Sequence, residues 1–283
     1  MITIKKISLN DEAKHFSDIF KKGSDSIDLF LSINTDFSEI GKKAITLMIL
    51  TAEKDSRLRE DIEDEDKKKQ DWYSLLFQRM RRGLSSPDSY KRFAENKVSF
   101  INFNYDRSLE HFLYESLINL YYSQHLEDNI NDTILEVQNL GVHERNSLIP
   151  FPFFHVYGKI AEIEWKKDGL KYGKDFDYQQ INELKNNIDI IHYDKNEQDF
   201  SEIRKTIKRA KRIFFLGFGF ARENMDILGI PHVFKHEPEI YGTALGWTEK
   251  ELIEIRGYLR SSFMIQDPRY NNPYIKNLNC IIY

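Results

Sequence analysis

Apolar positions recur at helical spacing through the first third of the chain and then give way to short uninterrupted runs that alternate with amphipathic stretches. "SDSIDLFLSI" offers Ser or Asp as a cap before Ile27, Leu29, Phe30 and Leu31, and "IGKKAITLMILTAEK" continues the pattern. "DWYSLLFQRMRRGL" places Trp72, Leu75, Leu76, Phe77 and Met80 on one packed helix face. From Val98 the texture changes. "VSFINFNYD" reads as a strand with a polar end, "RSLEHFLYESLINLYY" as a helix and "PFPFFHVYGKI" as a second strand. "YQQINELKNN" and "SEIRKTIKRAK" read as helices, and "RIFFLGFGF" as a strand that stops at glycines. "ENMDILGI" opens a helix, "EIYGTALG" is a strand, "TEKELIEIRGYL" is a helix capped by Thr248, and "NCIIY" closes the chain. Strands alternating with helices predict an α/β fold, a Rossmann-like doubly wound parallel sheet with a helical insertion. Residues 1–97 form its mainly helical N-terminal part and residues 98–283 its α/β core.

Composition narrows the classes of function. The 283 residues are 41% hydrophobic and 30% charged, with a formal net charge of -4, so no general field attracts nucleic acid. Arg79, Arg81 and Arg82 fit the wet side of a helix better than a binding patch. Residues 52–70 are almost wholly charged, with mixed signs, and read as a solvated helix end or loop. No apolar run approaches the roughly 20 residues of a membrane span. Lys5, Lys6 and Asp11 interrupt any signal-peptide core, and a cytoplasmic protein is expected. The single cysteine, Cys280, excludes an internal disulfide and a zinc ribbon of paired Cys-x-x-Cys.

Polar residues collect where the strands end, the place at which open α/β sheets bind ligands. They are Asn104, Tyr105 and Asp106; His155; Gly217, Gly219 and Asn224; and Gly242 with Thr243. Each also has a plain structural reading. Asn104 and Asp106 suit the cap of the helix that begins near Arg107, His155 suits a hydrogen-bonded core, and the glycines relieve crowding at a turn. Four polar tips in one series of strands and helices weigh against those readings taken together.

In "SIDLFL", "FINFNYDRSLE", "FHVYGKI", "FFLGFGFAREN" and "IYGTALGWTEKEL" the chain resembles the sirtuin-like (silent information regulator two) domain family, in particular its bacterial NAD-consuming branch associated with defence against phage. These pieces keep the family's order and cover most of residues 26 to 255. The resemblance implies one sirtuin-like domain that cleaves NAD to nicotinamide and ADP-ribose, as a homo-oligomer or with a gating partner protein, and without a metal. It implies His155 as the catalytic histidine and Asn104 as the residue that orients the ribose or a water. Asp106 and Tyr105 fall on the nicotinamide-ribose side, while Gly217, Gly219, Asn224, Gly242 and Thr243 fall on the dinucleotide side. The lack of paired cysteines separates the chain from the protein-deacylase branch. A non-catalytic module that binds NAD or ADP-ribose, or that serves in assembly, is the alternative.

One departure matters. The family opens with a strand leading into Gly-Ala-Gly-x-Ser, whose amides hold the pyrophosphate, and "MITIKKISLNDEAKHFSDIFKKG" stands in its place. Lys5 and Lys6 argue against a covered central strand at Met1 to Leu9. Either the chain starts late or the domain lacks that grip. The expectation is weak NAD binding, with Gly217 to Phe220 the first substitute for the missing loop.

Overall fold

The computed structural model describes residues 2–22, 27–56, 58, 72–84, 91–122, 151–164, 169–190, 200–243, 247–259 and 263–265. The protein is mixed α/β. Its described elements run α1 (Ile2–Phe20), α2 (Ile27–Ile33), α3 (Ser38–Lys54), α4 (Trp72–Met80), β1 (Phe100–Asn102), α5 (Ser108–Tyr122) and β2 (Phe153–His155). They continue α6 (Tyr178–Leu184), α7 (Ser201–Arg209), β3 (Arg212–Phe215), α8 (Arg222–Leu228), β4 (Glu239–Gly242), α9 (Glu249–Leu259) and β5 (Phe263–Ile265). Described residues between 27 and 91 hold helices and no strand. Residues from Ile2 onward are helical where the sequence argues against a strand. Cys280, the closing "NCIIY" and most of the charged run at 52–70 lie outside the described residues.

Every strand-to-strand pairing among the described elements is parallel. β1 pairs with β2 in one sheet, and β3, β4 and β5 pair in that order in a second. Parallel pairs need a helical crossover, which α5 begins after β1 and α8 and α9 supply after β3 and β4. The chain divides into two compact units. The first comprises Met1–Lys67, Phe100–Leu120 and Glu127–Asp194, and the second Lys68–Ser99, Tyr121–Leu126 and Lys195–Tyr283. The β1–β2 pair belongs to the first unit and the three-stranded sheet to the second.

Within the first unit, α3 is the organising helix. Leu50 packs with Ile160 and Ala161, and Leu170, Phe176, Ile181 and Leu184 close over them. α2 lies so near α3 that a Cβ added at Gly41 would come within 2.4 Å of Leu31 Cδ2. α6 starts on a capping box, in which Asp177 accepts from the Gln180 amide and the Gln180 side chain accepts from the Asp177 amide. In the second unit, Ile203 and Ile207, one helical turn apart, are the buried face of α7. Arg204, flanking that face, donates to the carbonyls of Ile227 and Asp226, the last turn of α8. Carbonyls in a helix's last turn run short of donors; the Gly229 amide donates to the Asp226 carbonyl at 3.0 Å, and the guanidinium adds a donor to both. α9 begins as its sequence predicts, with Thr248 and Glu251 exchanging hydrogen bonds. In β3, Arg212, Ile213 and Phe214 are half-buried and Phe215 is buried. Phe214 lies flat against Tyr241 of β4, at 4.9 Å and 9°, so the two rings shield each other on one face of the sheet.

Candidate functional site

β1 and β2 run side by side in register, Phe100 with Phe153, Ile101 with Phe154 and Asn102 with His155, so their polar ends finish together. Asn102 shapes the turn that follows. Its Oδ1 accepts from the Asn104 amide at 2.9 Å, and its Nδ2 donates to the Asp106 carbonyl at 3.2 Å. That pair of bonds leaves the Asn104 residue exposed at the tip. Asp106 is half-buried, and its Oδ1 accepts from the Ser108 amide at 3.0 Å at the start of α5. This is the capping role of a short acid before a helix, and it satisfies one of the helix's first donors.

His155 stands at the end of β2 with its side chain 8% exposed. Its Nε2 lies 2.9 Å from Oε2 of Glu110 on α5, and Lys159 Nζ lies 3.4 Å from the other oxygen of the same carboxylate. Burial pushes the Glu110 carboxyl up, but the hydrogen bond and charge of His155 and the charge of Lys159 outweigh it and hold Glu110 below its ordinary range. A carboxylate on one ring nitrogen assigns the proton to Nε2 in the neutral imidazole and leaves the lone pair on Nδ1. Nδ1 is buried and makes no hydrogen bond. The ring is further fixed by Phe153, stacked at 5.2 Å and 24°. The arrangement has the parts of an oriented general base: an imidazole, a carboxylate that sets its tautomer, and a nitrogen left over for a proton.

Tyr105, expected on the cofactor side, faces inward instead. It is 7% exposed, its hydroxyl donates to Asp28 Oδ1, and it lies 3.1 Å from the carbonyl oxygen of Asp189. One hydroxyl hydrogen serves one acceptor at a time, so the two oxygens share it. Burial pushes the Asp28 carboxyl above its ordinary 3.8, with the Tyr105 hydrogen bond pulling the other way. A raised folded-state value means that this group's stabilisation is complete below the unfolded value and is lost as pH rises through the folded one. Asp28→Asn keeps an acceptor for Tyr105 without a charge to bury. It is expected to melt at or above the wild-type temperature at pH 7, and to lose that part of the decline in stability above pH 4, as read by calorimetry across pH.

In the second unit the glycine loop after β3 is bound by its own fold. The Gly217 amide donates to Thr243 Oγ1 at 2.8 Å, and the Thr243 amide donates to the Phe215 carbonyl at 3.0 Å. Gly242 is the β4 partner of Phe215. Gly217 has φ +62, which favours glycine, whereas a Cβ at Gly219 would meet nothing within 4 Å. Phe218 and Phe220 pack on Phe215, and Phe220 meets Trp247 edge-on at 5.7 Å. Asn224 is half-buried in the first turn of α8. Gly217, Gly242 and Thr243 thus meet at one strand-end junction of this unit, and Asn104, Asp106 and His155 belong to the other.

Comparison with protein-family models, with curated proteins and with solved structures returns no match to this chain.

Several participants have no motif to mark them. Glu110 and Lys159 complete the His155 cluster. Glu53 and Arg107 form an ion pair in the same unit, with the Arg107 side chain 0% and the Glu53 side chain 2% exposed. The sequence does carry a signal for the two acids. Glu110 shares a helical face with Leu113 and Leu117, and Glu53 shares one with Thr46 and Leu50, all of them buried. An acid on an apolar helix face has to be paired inside.

Proposed function

We propose that the protein is a sirtuin-like NAD glycohydrolase, with a Rossmann-like doubly wound arrangement of its strands, and that His155 is its general base. The observation that carries this reading is the His155–Glu110 hydrogen bond at the end of β2, which leaves Nδ1 buried and without a hydrogen bond. Leaving such an atom unmet costs about 1–3 kcal/mol. A buried atom in that state calls for an account, and a part in proton transfer supplies one.

In the reaction, the bond between the ribose C1′ and the nicotinamide nitrogen breaks, and the electron pair leaves with nicotinamide. The ribose passes through an oxocarbenium-like centre. Water adds to C1′ and gives its proton to His155, so that NAD and water yield ADP-ribose, nicotinamide and a proton. Asn104, exposed at the neighbouring strand end, orients the ribose or the water. Glu110 holds the imidazole tautomer and balances the imidazolium as it forms. NAD depletion as an antiphage effector, in the cytoplasm and as a homo-oligomer or under a gating partner, is the biological setting that this chemistry fits.

A second reading has specific observations in its favour. Tyr105 and Asp106 make internal hydrogen bonds, and so does the amide of Gly217. A module that binds NAD or ADP-ribose without cleaving it, or that serves in assembly, would look the same at those positions. The two readings separate when the full chain is incubated with millimolar NAD and nicotinamide is quantified. Release of nicotinamide is expected. Saturable binding of NAD without release would establish the second reading instead.

A further inference from the structure

We infer that His111, Glu115 and Glu164 form a site for a single divalent transition-metal ion, zinc in the first instance, outside the His155 cluster. One donor atom from each lies within 4.8 Å of the other two. His111 and Glu115 are one turn apart on α5 and so share a face, and Glu164 directly follows Ile163, which bridges to Leu170. All three belong to the first unit. Donors that share a zinc ion at about 2.0–2.2 Å are at most about 4.4 Å apart, so closing onto an ion takes only a small inward shift.

The second observation is the state of the histidine. Its side chain is 3% exposed and its ring lies flat on Tyr172, at 4.1 Å and 4°. Nε2 is 3.2 Å from the carbonyl oxygen of Leu58, which can only accept, so Nε2 carries a proton. In the neutral ring the lone pair is then on Nδ1. Nδ1 is buried without a hydrogen bond and points at Glu164, 3.5 Å from Oε1, while the other Glu164 oxygen is also buried and has no hydrogen bond. A ring nitrogen bonded to a backbone carbonyl, with its opposite nitrogen aimed at a carboxylate, is the pattern that orients a metal-ligating histidine. A lone pair and a carboxylate facing each other in a buried place repel unless a cation lies between them. Arg107 acts on Glu164 through its charge, but its own hydrogen bonds to carboxylate go to both oxygens of Glu53. One imidazole and two carboxylates suit a borderline divalent ion with a water in the fourth position, and two negative charges match its own. The ion would tie α5 to the turn at Glu164.

The test uses the full chain, stripped with a chelator and dialysed, then titrated with zinc chloride by calorimetry, with bound metal measured by elemental analysis. About one zinc per chain is expected, together with a rise in melting temperature as zinc is added. Glu115→Gln and Glu164→Gln preserve size and remove one anionic donor each, and each is expected to weaken zinc binding at least about tenfold while remaining folded by circular dichroism. His111→Ala should abolish binding, but its buried position makes the two glutamine variants decisive. A folded wild-type chain that retains no zinc would overturn the site, because a doubly protonated His111 paired with Glu164 would then account for the geometry. Zinc binding of unchanged affinity in both glutamine variants would overturn it equally.

Discussion

Glu53→Gln is expected to destabilise the first unit by about 3–5 kcal/mol, the largest single effect on stability anticipated for this protein. Arg107 donates from Nε and from a terminal nitrogen to the two oxygens of Glu53, at 3.0 and 2.6 Å, and from its other terminal nitrogen to the carbonyls of Glu162 and Leu170, at 2.9 and 2.7 Å. The guanidinium therefore has its charge met by one carboxylate and most of its hydrogens placed. Removing the carboxylate's charge leaves a cation in a site from which water is excluded, and a guanidinium cannot shed its proton to escape. Against a typical total stability of about 5–15 kcal/mol the loss is severe. Arg107→Met combined with Glu53→Leu removes both charges and should recover part of the loss. Recovery stays incomplete because the Leu170 carbonyl loses the guanidinium as donor and the Glu162 carbonyl keeps only the Leu170 amide. Urea unfolding of the two single variants and the double variant measures the coupling. A loss under about 1 kcal/mol for Glu53→Gln would mean that water reaches the pair and screens it.

The same ion pair shows what a sequence conveys and what it withholds. Helix positions were legible wherever apolar spacing and caps agreed: α3, α4, α5, α7 and α9 fall where the periodicity of Ile45, Leu75, Leu113, Ile203 and Ile255 predicts them. Strand ends were legible too, because the polar residues after Ile101 and Phe154 interrupt apolar runs at the points where β1 and β2 finish. β5 at Phe263–Ile265 was not, since three residues are too short a run to stand out from a helix end. Pairing was the other gap. Glu110 and His155 are 45 positions apart, and Glu53 and Arg107 are 54 apart, so nothing local in either segment names its partner. Tyr105 shows the limit from the other side. A polar aromatic in "NFNYD" reads as a cofactor contact, yet Asp28, 77 positions away, takes its hydroxyl inward.

His155→Ala is the second variant for which a large effect is expected. His155 is bound through its side chain to Glu110, and Glu110 keeps Lys159 as a partner when the imidazole is gone. The substitution should therefore leave the chain folded, while removal of a general base lowers turnover by about 10²-fold or more. Glu110→Gln should lower turnover less than His155→Ala, because an amide can still bond to the imidazole but no longer balances its positive charge. The decisive measurement is the initial rate of nicotinamide release from NAD by wild type and His155→Ala, compared at matched folding by circular dichroism. A wild-type rate that falls by about a hundredfold or more in the variant is the result predicted. Equal rates in the two proteins, or no release by the folded wild type, would contradict the assignment of His155 as the base of an NAD glycohydrolase.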